Sequence, residues 1–182
     1  MPPLLILPGY NNSGPQHWQS AWERLFPEAR RVQQRDWEQP TLEDWVTALE
    51  AAISACAVPP LLAAHSLGVS TVVHWAARQG QRIQGALLVA PPDLAHPSVP
   101  EACKAFAPVP RQRLPFRAVL VASRDDPYAS FEQSEQMAQD WGCRLEDVGR
   151  AGHINSDSGL GEWPQGQRLL RALTQDVEGQ EA

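Results

Sequence analysis

The chain has 182 residues, 43% of them hydrophobic and 20% charged, a balance that fits one compact domain and excludes a disordered or membrane-embedded polypeptide. Its net charge of −6 argues against a nucleic-acid groove, which needs clustered Lys and Arg, and no stretch approaches the ~20 apolar residues of a membrane span. Cys56, Cys103 and Cys143 have no C-x-x-C spacing and the start MPPLLILPGY lacks the regions of a signal peptide, so free thiols in the cytoplasm are expected.

Along the chain, the apolar run 4–7 ends at Pro8-Gly9 and reads as a buried strand. A helix is predicted over 16–25, with Trp18 and Trp22 on one face, and a weaker strand over 30–35. After Pro40, Thr41 and Asp44 make a capping-box-like start to a helix whose apolar positions are Leu42, Trp45, Val46, Leu49, Ala52 and Ile53. Strands at 61–64 and 86–90 flank a helix at 67–78. Residues 91–115 then break the rhythm with seven prolines; they leave room for a short helix near 100–106 and read as a surface loop or a small lid. A strand at 118–122, a helix at 131–141, a weaker strand at 144–148 and a helix at 163–174 complete the pattern, before a frayed tail at 178–182.

Short continuous apolar strands alternating with helices imply right-handed crossovers and a parallel sheet covered on both faces. The fold class is therefore α/β: a three-layer α/β/α sandwich of about six parallel strands, forming one domain over residues 1–177. Sites in such sheets lie at the carboxyl ends of the strands.

The first such end that carries chemistry is Ala64-His65-Ser66-Leu67-Gly68, a G-x-S-x-G nucleophile elbow with Ala in the first Gly position. Small residues two before and two after the serine let strand and helix approach, and the tight turn lifts the hydroxyl above the sheet. A serine nucleophile needs a base, and the base an orienting acid, expected in the order Ser, acid, His after successive strands. The strand at 118–122 runs into Asp125-Asp126-Pro127, where Pro127 biases Asp126 toward an extended backbone and Asp125 competes for the role. The last strand leads into Gly149-Arg150-Ala151-Gly152-His153, which puts His153 in the third place. Two backbone amides should face the developing oxyanion: Leu67 N–H, directly after the serine, and Tyr10 N–H in the loop after the first strand, with Asn11 as second choice. Asn11 and His65 are also candidate substrate contacts, His65 reading chiefly as a support hydrogen-bonded behind the elbow. His17, His74 and His96 have no metal-ligand spacing, so neither a metal nor another cofactor is expected.

Four segments together, LPGYNNSGPQHWQSAWE, AHSLG, ASRDDPYASFE and AGHINSDSGLGEW, give the chain a near full-length likeness. It resembles the α/β-hydrolase superfamily, and more closely the small serine hydrolases of the YdeN-like and retinoblastoma-binding-protein-nine group. The resemblance implies Ser66 as nucleophile, Asp126 as the acid and His153 as base. It also implies a sheet without the first antiparallel strands of larger hydrolases, in line with the lack of any strand signal before Leu4. One vertebrate member is linked to retinoblastoma protein through L-x-C-x-E; no cysteine here stands in that frame, so that partner is not carried over. Gln16-His17-Trp18 and Trp22 belong to the family signature without an evident chemical role.

The expected activity is hydrolysis of a small carboxylic ester or related acyl compound through a Ser66 acyl-enzyme, with no nucleic-acid or membrane partner and any protein partner unknown. The alternatives are a hydrolase-fold protein that binds a protein partner, and an acyltransferase using the same three residues.

Overall fold

A computed structural model describes residues 2–79 and 82–175; the expected frayed tail at 178–182 lies outside the described residues. Six parallel strands, β1 (Leu4–Leu7), β2 (Ala29–Arg31), β3 (Leu61–His65), β4 (Gly85–Val89), β5 (Ala118–Ala122) and β6 (Arg144–Asp147), form one sheet in the order β2-β1-β3-β4-β5-β6. Among the described residues, α1 (Trp18–Leu25), α2 (Leu42–Ser54), α3 (Leu67–Gln79) and α4 (Phe131–Trp141) connect strands, and α5 (Pro164–Gln175) follows β6.

The strands are apolar throughout because both faces of the sheet are covered. On one face Leu5, Leu62, Leu88 and Leu120 pack with α2, α3 and α4 through Leu49, Trp75 and Trp141. On the other, Leu4, Leu61, Leu87 and Val119 pack with α1 and α5 through Trp18, Trp22 and Leu170. Alternate strand residues thus serve opposite cores, the two-residue period of a strand sandwiched between helix layers.

The predicted elements shift only at their ends. β2 stops at Arg31 rather than Arg35 because its neighbour β1 has four residues; the last link is Val32 N–H to Ile6 O, 2.9 Å. α1 begins two residues late because His17 is its N-cap, extended at φ −75° and ψ 143°. α5 begins at Pro164, where a missing N–H costs nothing, after Trp163 at φ +46°.

The proline-rich stretch 91–115 contains one 3₁₀ turn, Glu101–Phe106. It forms no separate lid. Leu94, Val99, Cys103 and Phe106 are buried against Trp45 and Leu67 in a third apolar cluster, so the segment is a packed wall beside the carboxyl ends of the strands.

The chain steps from β1 out to β2 and returns on β1's other side as β3, which makes β1/β3 the topological switch point. The two loops leaving there diverge to opposite faces of the sheet and open a crevice between them. Among the described residues no helix is long and apolar enough to cross a membrane.

Candidate active site

The turn after β3 carries Ser66 at φ +55°, in the left-handed region that a non-glycine residue occupies only when its surroundings enforce it. The enforcement is visible. Ser66 N–H donates to Val89 O at 2.9 Å, Ser66 O accepts Val69 N–H at 2.9 Å, and the start of α3 presses on the end of β1. A Cβ placed on Gly68 would overlap the Leu7 carbonyl oxygen and stand 2.8 Å from Pro8 O, so only glycine fits. Ala64, in the first small position, is fully buried in the sheet.

The Ser66 hydroxyl lies 2.9 Å from His153 Nε2, and His153 Nδ1 lies 2.9 and 3.0 Å from the two carboxylate oxygens of Asp126. An ionised carboxylate only accepts, so Nδ1 carries the ring proton and Nε2 is left to accept from Ser66. The His153 and Asp126 side chains are 9% and 5% exposed, which removes competing water from the ion-pair partner that forms if His153 takes a proton. Asp126 also accepts Tyr128 N–H at 2.9 Å, and the Tyr128 ring meets His153 edge-on, centroids 4.6 Å apart. The structure therefore brings Ser66, His153 and Asp126, from three separate strand ends, into one hydrogen-bonded chain.

Asp125, the competing carboxylate, faces elsewhere. Its Oδ1 accepts Ser123 Oγ–H and Gly152 N–H, each at 2.8 Å, while Ser123 Oγ accepts Ala151 N–H at 2.9 Å. These bonds, the Gly152 amide first, hold the Asp125 carboxyl below the usual carboxylate range. The loop bearing His153 is thereby tied to the end of β5.

At the other side of the elbow, Gly9 packs on Ser66: a Cβ there would stand 2.8 Å from Ser66 Cβ and 3.2 Å from Leu67 N. Asn11 N–H is engaged by Trp37 O at 2.9 Å, which removes the second-choice oxyanion donor. Tyr10 N–H and Leu67 N–H have no acceptor among the described residues and both residues line the pocket around Ser66. Asn11 lines it too, as an exposed residue. His65 is buried beneath it and donates Nε2–H to His153 O at 2.8 Å. Burial, with His153 and His17 nearby, lowers its pKa well below the ordinary imidazole value.

Four supports, Trp18, Trp22, Gln19 and Arg31, had no chemical role legible in the sequence. Trp18 Nε1–H donates to Ile154 O at 2.9 Å, one residue past His153, and Trp22 Nε1–H donates to Glu162 O at 2.8 Å. Gln19, fully buried, donates from its amide to Leu7 O and Ala63 O, both 3.0 Å, bridging the ends of β1 and β3. Arg31, ion-paired with Glu23, donates to Asn12 Oδ1 at 2.8 Å and Ser13 O at 2.9 Å and so pins the loop after β1. Each contact spans elements that only the folded chain brings together.

The pocket has a volume of about 240 Å³. None of the described residues in its wall is Asp, Glu, Lys or Arg. The loop after β1 contributes Asn11, Asn12 and His17, whereas the wall after β4 contributes Pro92, Val99 and Cys103. Burial pushes the Cys103 thiol up to about 11, which keeps it protonated at neutral pH. Among the described residues no group of three His, Cys, Asp or Glu side chains could hold a metal ion.

Comparison with known proteins gives the chain a family and a fold. A family model for serine hydrolases matches residues 4–172, and the chain belongs to that family. Within the α/β hydrolases it falls in the YdeN-like group. A YdeN-like hydrolase from Pectobacterium atrosepticum is 35% identical, with a TM-score of 0.84 over 94% of this chain and 90% of that one. The ydeN gene product of Bacillus subtilis is 24% identical, with a TM-score of 0.80 over 94% and 97% of the two chains. Est1E from Butyrivibrio proteoclasticus, solved with ferulic acid bound, shares the fold at 14% identity, with a TM-score of 0.69 over 95% and 86%. No functionally curated protein is close enough in sequence to count as a relative.

Proposed function

We propose that this serine hydrolase cleaves small, uncharged carboxylic esters or related acyl compounds through an acyl-enzyme on Ser66. The observation that carries the reading is the 2.9 Å contact between His153 Nε2 and Ser66 Oγ, with Nδ1 of the same ring held by Asp126. Ser66 Oγ attacks the acyl carbon and its proton passes to His153 Nε2; the carbonyl π electrons move onto oxygen, facing Leu67 and Tyr10 N–H. The intermediate collapses with cleavage of the bond to the leaving alcohol, which takes the proton back from His153. Water then repeats the sequence on the acyl-enzyme and frees the acid. Asp126 holds the imidazole tautomer and stabilises the imidazolium without itself becoming protonated.

General-base action of this kind contributes ~10²- to 10⁴-fold, and each oxyanion donor ~3 kcal/mol of transition-state stabilisation. A pocket of about 240 Å³ is below the ~300–1,000 Å³ range of sites for drug-sized ligands, which supports a short acyl substrate. The free thiols Cys56, Cys103 and Cys143 support placement in a reducing compartment, the cytoplasm.

Labelling with a fluorophosphonate probe tests the reading. Wild type is expected to label, Ser66→Ala not at all and His153→Ala far more slowly. A folded wild type that resists the probe would overturn it.

A further inference from the structure

The loop that carries His153 is strained at the next residue. Ile154 has φ +49°, a left-handed conformation that a β-branched side chain rarely adopts. Burial of its side chain, its N–H bond to Ala151 O at 3.1 Å and the Trp18 Nε1–H bond to its carbonyl hold it there. Strain of this kind persists only where the surroundings impose it, and it gathers at functional sites. The two neighbours of Ile154, His153 and Asn155, both line the cavity that holds Ser66. Asn155 is fixed in turn: its N–H donates to Ser158 Oγ and its Oδ1 accepts Asp157 N–H, each at 3.0 Å. Because the carboxamide oxygen is engaged, the orientation of the group is set and its NH₂ is left over. Nδ2 has no acceptor among the described residues, and it is not one of their buried unpartnered atoms, so solvent reaches it.

A second cavity, of about 580 Å³, shares Tyr128, His153 and Asn155 with the first and adds the exposed, charged side chains of Asp125, Arg150 and Asp157. The direction of the chemistry says which half of an ester passes that way. His153 Nε2 returns its proton to the leaving alcohol, so the alcohol lies on the His153 side of the scissile bond, beside Asn155 and toward the charged cavity. We propose that Asn155 Nδ2–H is a specificity-determining donor to the alcohol half of the substrate. This rests on the hydrolase reading and narrows its substrates to short acyl esters of polar alcohols, those with an uncharged hydroxyl or ether oxygen near the ester bond. Two acids against one base in the second cavity disfavour an alcohol that bears a carboxylate.

Two pairs of esters, each equal in shape and differing by one oxygen, read this out. On the alcohol side they are 2-methoxyethyl acetate and butyl acetate; on the acyl side, 4-nitrophenyl methoxyacetate and 4-nitrophenyl butyrate. After division by each ester's hydroxide-catalysed rate, wild-type kcat/KM is expected to favour 2-methoxyethyl acetate over butyl acetate by about 3- to 10-fold, the yield of one neutral hydrogen bond. Asn155→Asp keeps the acceptor for Asp157 N–H and removes the donor; Asn155→Ser keeps a cap acceptor on a shorter, uncharged side chain. Both should bring the alcohol-side ratio to unity or below while leaving the acyl-side ratio where it stands in wild type. A ratio compares two esters on one protein, so a general effect of either substitution on His153 or on folding cancels. Wild-type turnover with no alcohol-side preference, a preference that survives in either variant that labels with fluorophosphonate, or an acyl-side ratio that moves as far as the alcohol-side one overturns the inference and leaves the hydrolase reading standing. So does a wild type that labels but cleaves neither acetate. Failure of all four esters together with failure to label overturns both.

Discussion

The Asp125 carboxylate accepts the Gly152 amide at 2.8 Å while the neighbouring Asp126 carboxylate, at 2.9 Å, meets the His153 ring one residue further along the same loop. Two adjacent acids thus have different partners: one accepts from the backbone of the loop and the other from the imidazole.

That division predicts unequal substitutions. Asp126→Asn should lower kcat by ~10³- to 10⁴-fold with little change in KM, because an amide no longer enforces the Nδ1–H tautomer. Asp125→Asn should keep most of the activity, since its amide oxygen can still accept from Ser123 and Gly152. Steady-state kinetics on an activated ester separates the two, and the reverse order would assign the orienting role to Asp125.

Gly9 and Gly68 should fail in different ways. In Gly68→Ala the new methyl meets backbone at the end of β1, with Pro8 O 2.8 Å away. Overpacking against groups that cannot rotate aside should cost about 1–3 kcal/mol in urea unfolding. In Gly9→Ala the methyl stands 2.8 Å from Ser66 Cβ, directly against the nucleophile. The rate of fluorophosphonate labelling should therefore fall more than the melting temperature does.

Trp18→Phe keeps an aromatic ring in the α1 core but deletes the donor to Ile154 O. A buried carbonyl left unsatisfied costs about 1–3 kcal/mol, and the register of the His153 loop should loosen with it. The expected result is a lower melting temperature accompanied by a drop in kcat at nearly constant KM. Unchanged kcat would separate the signature tryptophan from the chemistry.

Stability should fall on mild acidification. His17 titrates near 6.5 when unfolded and at about 4 when folded, so between these values the unfolded chain binds more protons and stability rises with pH. This histidine alone should remove about 2 kcal/mol between pH 7 and pH 5 and about 1 kcal/mol more by pH 4, the loss levelling off below its folded pKa. His65 and His74, also lowered by burial, add in the same direction. Urea melts across that range should show the slope, and His17→Asn should flatten it in part.

What the sequence by itself determined is set by local rules. The continuous apolar runs at 4–7, 61–64 and 118–122 read as strands covered on both faces, and the small residues around Ser66 specify a sharp strand-to-helix turn. Strand ends in chain order then nominated Ser66, the Asp125-Asp126 pair and His153. Tertiary structure decided whatever depends on partners distant along the chain. Pro127 and the family resemblance favoured Asp126 over the chemically identical Asp125, and the positions of the Gly152 amide and the His153 ring show what each carboxylate meets. Asn11 stands second to Tyr10 as a donor in the sequence, and Trp37 O, 26 residues on, engages its amide in the fold. Trp18, Gln19, Arg31 and His17 belong to the same group, because a hydrogen bond acquires its meaning from an acceptor that the linear chain does not reveal.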